Sequence, residues 1–200
     1  MQGKGKDNIL EINIKKYKTL VFCDFFVYIY TQIVLDMKVV LLVTGKMDSG
    51  NWDKALDDYS GRLKHYIPFE TEVIRDVKNV KNRTEAQQKE LEGQLILKAL
   101  QTGDSCVLLD ERGKEFTSKQ FAAYLDRKIL AAPKRLVFVV GGPYGFSDEV
   151  YERVSERLSL SKMTFSHQMI RPFFVEQLYR AMTILRGEPY HHESIESVEF

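Results

Sequence analysis

The sequence predicts an α/β protein, with a mostly parallel sheet that carries helices on both faces. Two observations lead to this prediction. From residue 37 onward, short apolar runs rich in Val, Leu and Phe recur at the length of a buried strand. Longer segments with helical periodicity lie between these runs, and such alternation is typical of parallel strands joined by crossing helices.

The first half of this region is predicted to form three strands and two helices. Gly45 closes the first apolar run, and Pro68 ends the helix that follows it. Leu91 and Leu95 mark the apolar face of the second helix, which Gly103 closes. The predicted strands are residues 38–45, 69–77 and 105–109, and the predicted helices are residues 51–66 and 84–100.

The second half continues the alternation with two strands and three helices. Ser147 is expected to cap a short helix, whose first turn contains Asp148 and Glu149 and so suits the helix dipole. Pro172 suits the first position of the last helix, and Gly187 is its stop signal. The predicted strands are residues 135–140 and 158–165, and the other predicted helices are residues 118–130 and 172–186.

Residues 1–36 differ from the rest of the chain in composition. They are rich in Asn, Ile, Lys, Tyr and Phe, and residues 19–35 form an apolar run. As a membrane span this run is short, and Asp24 and Gln32 interrupt it. Because Met37 begins a typical first strand, we expect an N-terminal extension or a start-site artefact over residues 1–36, with a membrane anchor as the alternative. One domain is expected over residues 37–193 and a tail over residues 194–200.

The charge balance gives no argument for avid, nonspecific binding to nucleic acid. The 200 residues carry a net charge of +1, and the part after residue 36 contains 24 basic and 24 acidic residues. An RNA partner would therefore be held by a local patch, an oligomer or shape. Two cysteines give no disulfide framework, which is compatible with a reducing cytoplasm.

Ligands of parallel sheets bind at the carboxyl ends of the strands, and a glycine-rich segment stands there. It is GGPYG, residues 141–145, whose spacing fits neither the dinucleotide fingerprint nor a P-loop. The sequence also lacks a G-x-S-x-G nucleophile motif. On its own, GGPYG is most simply a tight turn. A second unusual segment, LSLSKMTFSHQ at residues 158–168, follows one strand later.

Two further segments accompany these: MKVVLLVTGK at residues 37–46 and EQLYRAMTILRGEPYHHE at residues 176–193. Together the four segments resemble the RlmH (YbeA-like) family of SPOUT methyltransferases, and the resemblance covers residues 37–193. It implies a C-terminal trefoil knot, an exception to the rule that connections do not thread loops. It also implies a cytoplasmic homodimer that uses S-adenosyl-L-methionine, and no metal, to methylate N3 of a pseudouridine in 23S rRNA of the ribosome.

The resemblance implies three cofactor-binding loops. Leu109 would end the third strand beside the cofactor, and Gly141 would open the second loop, where a glycine lets the main chain approach the adenosyl group. Apolar side chains would exclude water around it. The third loop is implied to consist of Leu160, Ser161, Lys162, Met163, Thr164 and Phe165.

Candidate groups for the target base lie in the C-terminal segments. Tyr190 and His191 are the candidate catalytic residues, and His191 could accept a proton near neutral pH. The alternative is a solvated tail whose adjacent histidines bind adventitious metal. Arg171, Arg180 and Glu193 are the candidate substrate-binding residues. The alternative for the arginines is an ion pair on the surface of the last helix.

Three functions remain open on these grounds. The leading one is the RNA methyltransferase, acting on an assembled ribosomal surface because a small neutral domain would bind free RNA poorly. The second is a non-catalytic ribosome-associated binding or assembly factor that retains the knotted fold. The third is a nucleotide-binding α/β protein of other chemistry. Two positions depart from the family pattern: Ser166 stands where many members have proline, and Pro172 stands where an aliphatic residue is usual.

Overall fold

Strands and helices alternate along the chain, as the sequence predicts. The computed structural model describes residues 28, 29, 32–34, 36–47, 50–75 and 83–190. From Lys38 onward its strands are β1 (Lys38–Thr44), β2 (Phe69–Ile74), β3 (Ser105–Glu115), β4 (Arg135–Val140) and β5 (Arg157–Ser159). Its helices are α1 (Asn51–Leu63), α2 (Glu85–Ala99), α3 (Ser118–Leu130), α4 (Asp148–Arg153) and α5 (Ile170–Leu185).

The described strands form one parallel sheet in the order β2-β1-β4-β3-β5. The central strands β1 and β4 are buried along almost their whole length, because helices cover both faces of the sheet. Helices α1, α3 and α5 pack on one face around Leu41, Phe138 and Phe174. Helices α2 and α4 pack on the other face around Val40 and Leu108. The predicted fold class is therefore confirmed.

The fifth strand is shorter than predicted. It ends at Ser159, and residues 160–165, which the sequence assigns to the strand, form a loop instead. The Ser159 hydroxyl donates to the main-chain oxygen of Ser161 at 2.8 Å, and the Ser161 hydroxyl accepts from the amide of Met163 at 3.0 Å. These bonds supply partners that a neighbouring strand would otherwise provide, so the chain leaves the sheet here.

The last helix begins at Ile170, two residues before the predicted start. Pro172 is its third residue, where the amide that proline lacks would have had no partner inside the helix. The hydroxyl of Ser166 accepts a hydrogen bond from the amide of Met169 at 3.2 Å. The main-chain carbonyl of Ser166 accepts a second one from the amide of Ile170 at 3.1 Å. Ser166 thus starts the turn that leads into α5. Gly187 ends the helix with a φ of 67°, as predicted.

Two predictions about helix faces need correction. Ser147 occupies the N-cap position of α4, but its side chain makes no capping bond and is fully buried instead. The buried face of α2 contains Gln88, Glu92, Gly93 and Ile96, whereas Leu91 and Leu95, which the periodicity favours, are only partly buried.

Strand β5 pairs through its main chain with two separate parts of β3. Leu158 pairs with Leu109 and again with Lys114, so the intervening residues leave the regular ladder. Gly113, in this interruption, lies against the main chain of Leu158: a Cβ atom built on it would be 2.5 Å from the carbonyl carbon and 2.6 Å from the nitrogen of Leu158. Only glycine fits such a contact. The trefoil knot remains a prediction from the resemblance.

No helix in the described part of the chain is long and apolar enough to cross a membrane. Most of the apolar run at residues 19–35, which suggested a membrane anchor as the alternative, lies outside the described residues.

Gly113→Ala is expected to destabilise the fold. The added methyl group would overlap main-chain atoms of Leu158 that cannot move without breaking the pairing of β3 with β5. Overpacking of this kind costs about 1–3 kcal/mol of unfolding free energy. Urea denaturation followed by circular dichroism measures the loss.

The matched control is Gly61→Ala, in α1. Apart from the adjoining helix backbone, no atom of the described residues lies within 4 Å of the Cβ position of Gly61. Replacing a helical glycine with alanine stabilises a helix by about 0.5–1 kcal/mol. If both substitutions changed stability in the same direction, the proposed steric role of Gly113 would be incorrect.

Candidate active site

A cleft of about 690 Å³ opens at the ends of β4 and β5 and at the interruption in the middle of β3. We call it the strand-end cleft; its volume lies within the range of small-molecule sites, about 300–1,000 Å³. Segments at residues 109–112, 140–146 and 158–167 form its walls, and Lys89 of α2 also lines it. The structure brings together these residues that the resemblance implied for the cofactor: Leu109, Gly141, Leu160, Ser161, Met163, Thr164 and Phe165. Lys162, also implied, is exposed and does not line the cleft.

The glycine loop, residues 141–145, is a tight turn whose main chain faces the cleft. The amide of Gly145 donates to the carbonyl of Gly142 at 3.1 Å, and Gly145 has a φ of 77°. A Cβ atom on Gly141 would lie 3.2 Å from the carbonyl oxygen of Gly145 and 3.2 Å from the ring of Phe146. The sequence suggested either a tight turn or main chain packed against a neighbour, and both are present. A ligand at this wall would contact main-chain atoms.

The serine loop, residues 159–165, forms the opposite wall. The hydroxyl–main-chain bonds of Ser159 and Ser161 hold its first half. Met163 projects from the loop with 77% of its surface exposed, and the ring of Phe165 contacts that of Phe173 with 5.7 Å between centroids. This wall therefore offers both main-chain groups and unburied apolar side chains to a ligand.

A buried carboxylate, that of Asp110, also lines the cleft. Asp110 is 7% exposed and accepts hydrogen bonds from the main-chain amide of Arg112, at 2.8 Å, and from the hydroxyl of Tyr151. The guanidinium of Arg157 lies over the Tyr151 ring, 4.3 Å from its centroid. Burial, followed by the bond to Asp110, raises the pKa of Tyr151 to about 12. The Tyr151 hydroxyl therefore stays protonated as a donor at neutral pH.

Arg171 lies in the interior, where main-chain oxygens surround its guanidinium. It is 1% exposed, and its guanidinium donates to the carbonyl oxygens of Thr44 at 2.7 Å, Gly45 at 3.0 Å and His167 at 2.9 Å. The side chain thus links the end of β1 to the turn before α5. This placement differs from the substrate contact that the sequence suggested for Arg171.

Arg180 and Tyr190 pack together on the outer side of α5. Arg180 forms an ion pair with Glu176, the alternative that the sequence left open, and its guanidinium lies 4.9 Å from the centroid of the Tyr190 ring. The Tyr190 hydroxyl donates to Glu176 at 3.1 Å and lies 3.4 Å from that of Tyr59. Burial and these two neighbours raise the pKa of Tyr190 above its ordinary value, so its hydroxyl keeps its proton at neutral pH and serves as a hydrogen-bond donor.

Neither Arg180 nor Tyr190 lines the strand-end cleft. His191 and Glu193, the other candidates in the tail, lie outside the described residues. Among the residues that the structure does describe, no group of three or more His, Cys, Asp or Glu side chains could hold a metal ion. The described residues of one chain thus form the three walls of the cleft, and none of the predicted tail residues among them reaches it.

Comparison with known proteins identifies relatives of this chain. Residues 37–191 match the family described as "Predicted SPOUT methyltransferase". A protein from Parabacteroides distasonis, named ribosomal RNA large subunit methyltransferase H, is 69% identical over 157 residues, which are 78% of this chain and 100% of that protein. A protein of the same name from Bacteroides fragilis is 57% identical over 157 residues, with the same coverage of both chains.

A solved structure is a weaker match. It is a probable methylase family protein from Haemophilus influenzae Rd KW20, with a TM-score of 0.41 and 12% identity over 77% of this chain and 67% of that chain. The relationship is therefore established by the sequence matches.

Tyr151→Phe is expected to destabilise the fold at neutral pH, because it removes a hydrogen bond to a buried carboxylate. Hydrogen bonds to charged groups contribute about 1.5–3 kcal/mol. We expect a loss of unfolding free energy near the lower end of this range, since Tyr151 is only half buried. Chemical denaturation of the two proteins, compared at a series of pH values, measures it.

The difference between the two proteins should shrink in alkaline solution. An unfolded tyrosine has a pKa near 10, and the folded-state pKa of Tyr151 is about 12. Because folding raises this pKa, the stabilisation is complete below the unfolded value and is lost as pH rises through the folded value. A difference that stayed constant above the folded pKa would contradict this assignment. Tyr144→Phe, at the exposed tip of the glycine loop, is the matched control and should show no such trend.

Proposed function

The chain belongs to the SPOUT methyltransferase family, and we propose that it transfers a methyl group from S-adenosyl-L-methionine to N3 of a pseudouridine in 23S rRNA, the RNA of the large ribosomal subunit. Two relatives that its sequence covers end to end are named ribosomal RNA large subunit methyltransferase H. The observation that carries the proposal is the strand-end cleft, which gathers three loops from distant parts of the sequence. A ribosomal substrate would place the protein in the cytoplasm.

The residues of the cleft fit this methyl donor. The Cβ position of Gly141 is taken by Gly145 and Phe146, so bare main chain would face the adenosyl group at this residue, and main-chain donors and acceptors can read adenine. Leu109 and Leu160 line the cleft and would exclude water from it, and Met163 would be covered by a bound ligand. The buried Asp110, with both carboxylate oxygens engaged by the protein, would keep the interrupted part of β3 in place.

Methyl transfer asks the protein for placement and for removal of one proton. The bound cofactor would supply a methyl group that is already activated by the positive sulfonium. The protein would hold N3 of the base in line with that group and accept the imino proton as the bond forms. His191 is the proposed acceptor, since an imidazole titrates near neutral pH. Tyr190 stays protonated because its pKa is raised, and it would exchange its hydrogen bond to Glu176 for one to the base.

We propose a homodimer in which the tail of one protomer completes the cleft of its partner. Tyr190 packs against Tyr59 and Glu176 and does not line the cleft of its own chain. A second copy is one way to bring the tail residues to the cofactor. The resemblance stated above implies the same arrangement.

We propose further that the substrate is the assembled ribosome or its large subunit. The chain carries a net charge of +1, and Arg180 is engaged in an ion pair with Glu176. Selective binding of free RNA draws largely on phosphate contacts by basic side chains. A neutral protein would gain its selectivity from the shape of an assembled surface.

The function is tested by transfer of a labelled methyl group. Intact large subunits, 70S ribosomes and deproteinised 23S rRNA are incubated with the protein and the labelled cofactor, and the modified nucleoside is mapped by mass spectrometry. We expect label in N3-methylpseudouridine, with assembled particles as better substrates than free RNA. Label at another nucleoside, or none in any substrate, would refute the proposed reaction, and equal transfer to free RNA would refute the proposed preference.

The shared site is tested with two variants of the whole chain. Gly141→Val is expected to abolish cofactor binding, because even a Cβ atom there meets Gly145 and Phe146 at 3.2 Å. His191→Ala is expected to bind the cofactor and to lose most of the transfer rate. Unfolded and refolded together, the two inactive variants should regain up to about a quarter of wild-type activity, since a random mixture gives half mixed dimers with one intact site each. A mixture no more active than its components would exclude a site built from two protomers.

A further inference from the structure

The buried face of α2 contains a carboxyl group and an amide where apolar side chains would be expected. Glu92 is 4% exposed and Gln88 is 9% exposed. The Gln88 amide donates a hydrogen bond to Oε1 of Glu92 at 2.8 Å. Burying a carboxylate is costly, and a leucine at this position would pack the helix against the sheet without that cost. Core packing therefore gives no reason for a carboxylate at this position.

The Glu92 carboxylate lies directly against the glycine loop. A Cβ atom built on Gly142 would be 2.1 Å from Oε2 and 2.7 Å from Cδ of Glu92. The next residue of the helix, Gly93, meets the other end of the same segment, because a Cβ atom on Gly93 would be 2.1 Å from Oγ of Ser147. Glu92 and Gly93 together seat residues 142–147 on α2.

We propose that Glu92 is a positioning residue for the methyl-donor site. Held by Gln88, its carboxylate fixes how far the glycine loop stands out into the strand-end cleft, and so determines how well the loop fits the cofactor. Glu92 does not line the cleft and acts through Gly142. The inference rests on the proposed function, because it takes the glycine loop as a wall of the S-adenosyl-L-methionine site.

Glu92→Gln tests this role with little change in side-chain volume. We expect it to weaken binding of S-adenosyl-L-methionine and of S-adenosylhomocysteine alike, each by about tenfold, which corresponds to about 1.4 kcal/mol. Both ligands contact the same loop, and only the first carries the sulfonium charge. Isothermal titration calorimetry of the intact protein measures both affinities, well below its unfolding temperature. Glu90→Gln, at a partly buried position of the same helix, is the matched control and should bind like wild type.

Each outcome decides a different question. Loss confined to S-adenosyl-L-methionine would show attraction between the carboxylate and the sulfonium charge, and would overturn the positioning role. Unchanged affinity for both ligands would overturn it as well. Failure of the wild-type protein to bind either ligand would refute the proposed function and, with it, the premise of this inference.

A double-mutant cycle tests the contact itself. The carboxylate is the flexible end of its side chain, so a methyl group added by Gly142→Ala should push it aside and weaken binding in the wild-type background. In a Glu92→Ala background the same change meets no carboxylate and should cause no further loss. Equal losses in both backgrounds would show that Gly142 acts independently of Glu92, and the proposal would be abandoned.

Discussion

The site depends on one constraint: the main chain of Gly113 packs directly against the main chain of Leu158. A side chain on Gly113 would overlap the backbone of Leu158, so β5 can pair with both parts of β3 only because this position is a glycine. That pairing sets the interruption of β3 beside the ends of β4 and β5, and the three walls of the strand-end cleft begin there. The cleft is thus a consequence of strand register, as ligand sites of parallel sheets commonly are.

A buried arginine connects this region to the rest of the sheet. Arg171 donates to the carbonyl oxygens of Thr44 and Gly45 at the end of β1, and to that of His167 before α5. Each of these bonds carries the charge of the guanidinium, and charge-assisted hydrogen bonds are stronger than neutral ones. Two residues therefore hold the chain segments around the cleft in place. Gly113 allows β5 to pair closely with β3, and the buried Arg171 links the end of β1 to the turn before α5.

The sequence predicts most of the fold, because continuous apolar runs such as those of β1 and β4 are typical of strands buried on both faces. It does not separate β5 from the serine loop, because alternating polar and apolar residues fit a half-buried strand as well as a loop whose hydroxyls bond to the main chain. The buried polar residues are also missed. Periodicity assigns charged residues to the surface, so the burial of Glu92 and of Arg171 is not predicted. The bond from Tyr151 to Asp110 joins segments 41 residues apart.

These buried polar groups share one arrangement that explains how a site made largely of main chain can be specific. The glycine loop offers few side chains to a ligand, so its selectivity depends on where its backbone atoms stand. Backbone position is in turn set by groups behind the wall: Glu92 under the glycine loop, Asp110 with Tyr151 at the base, and Arg171 beneath the turn before α5. Hydrogen bonds with ionised partners have narrow geometric tolerance and lie in a low-dielectric interior, where they are strong. Precision in such a cleft therefore resides one layer away from the ligand, in residues that sequence patterns assign to the surface.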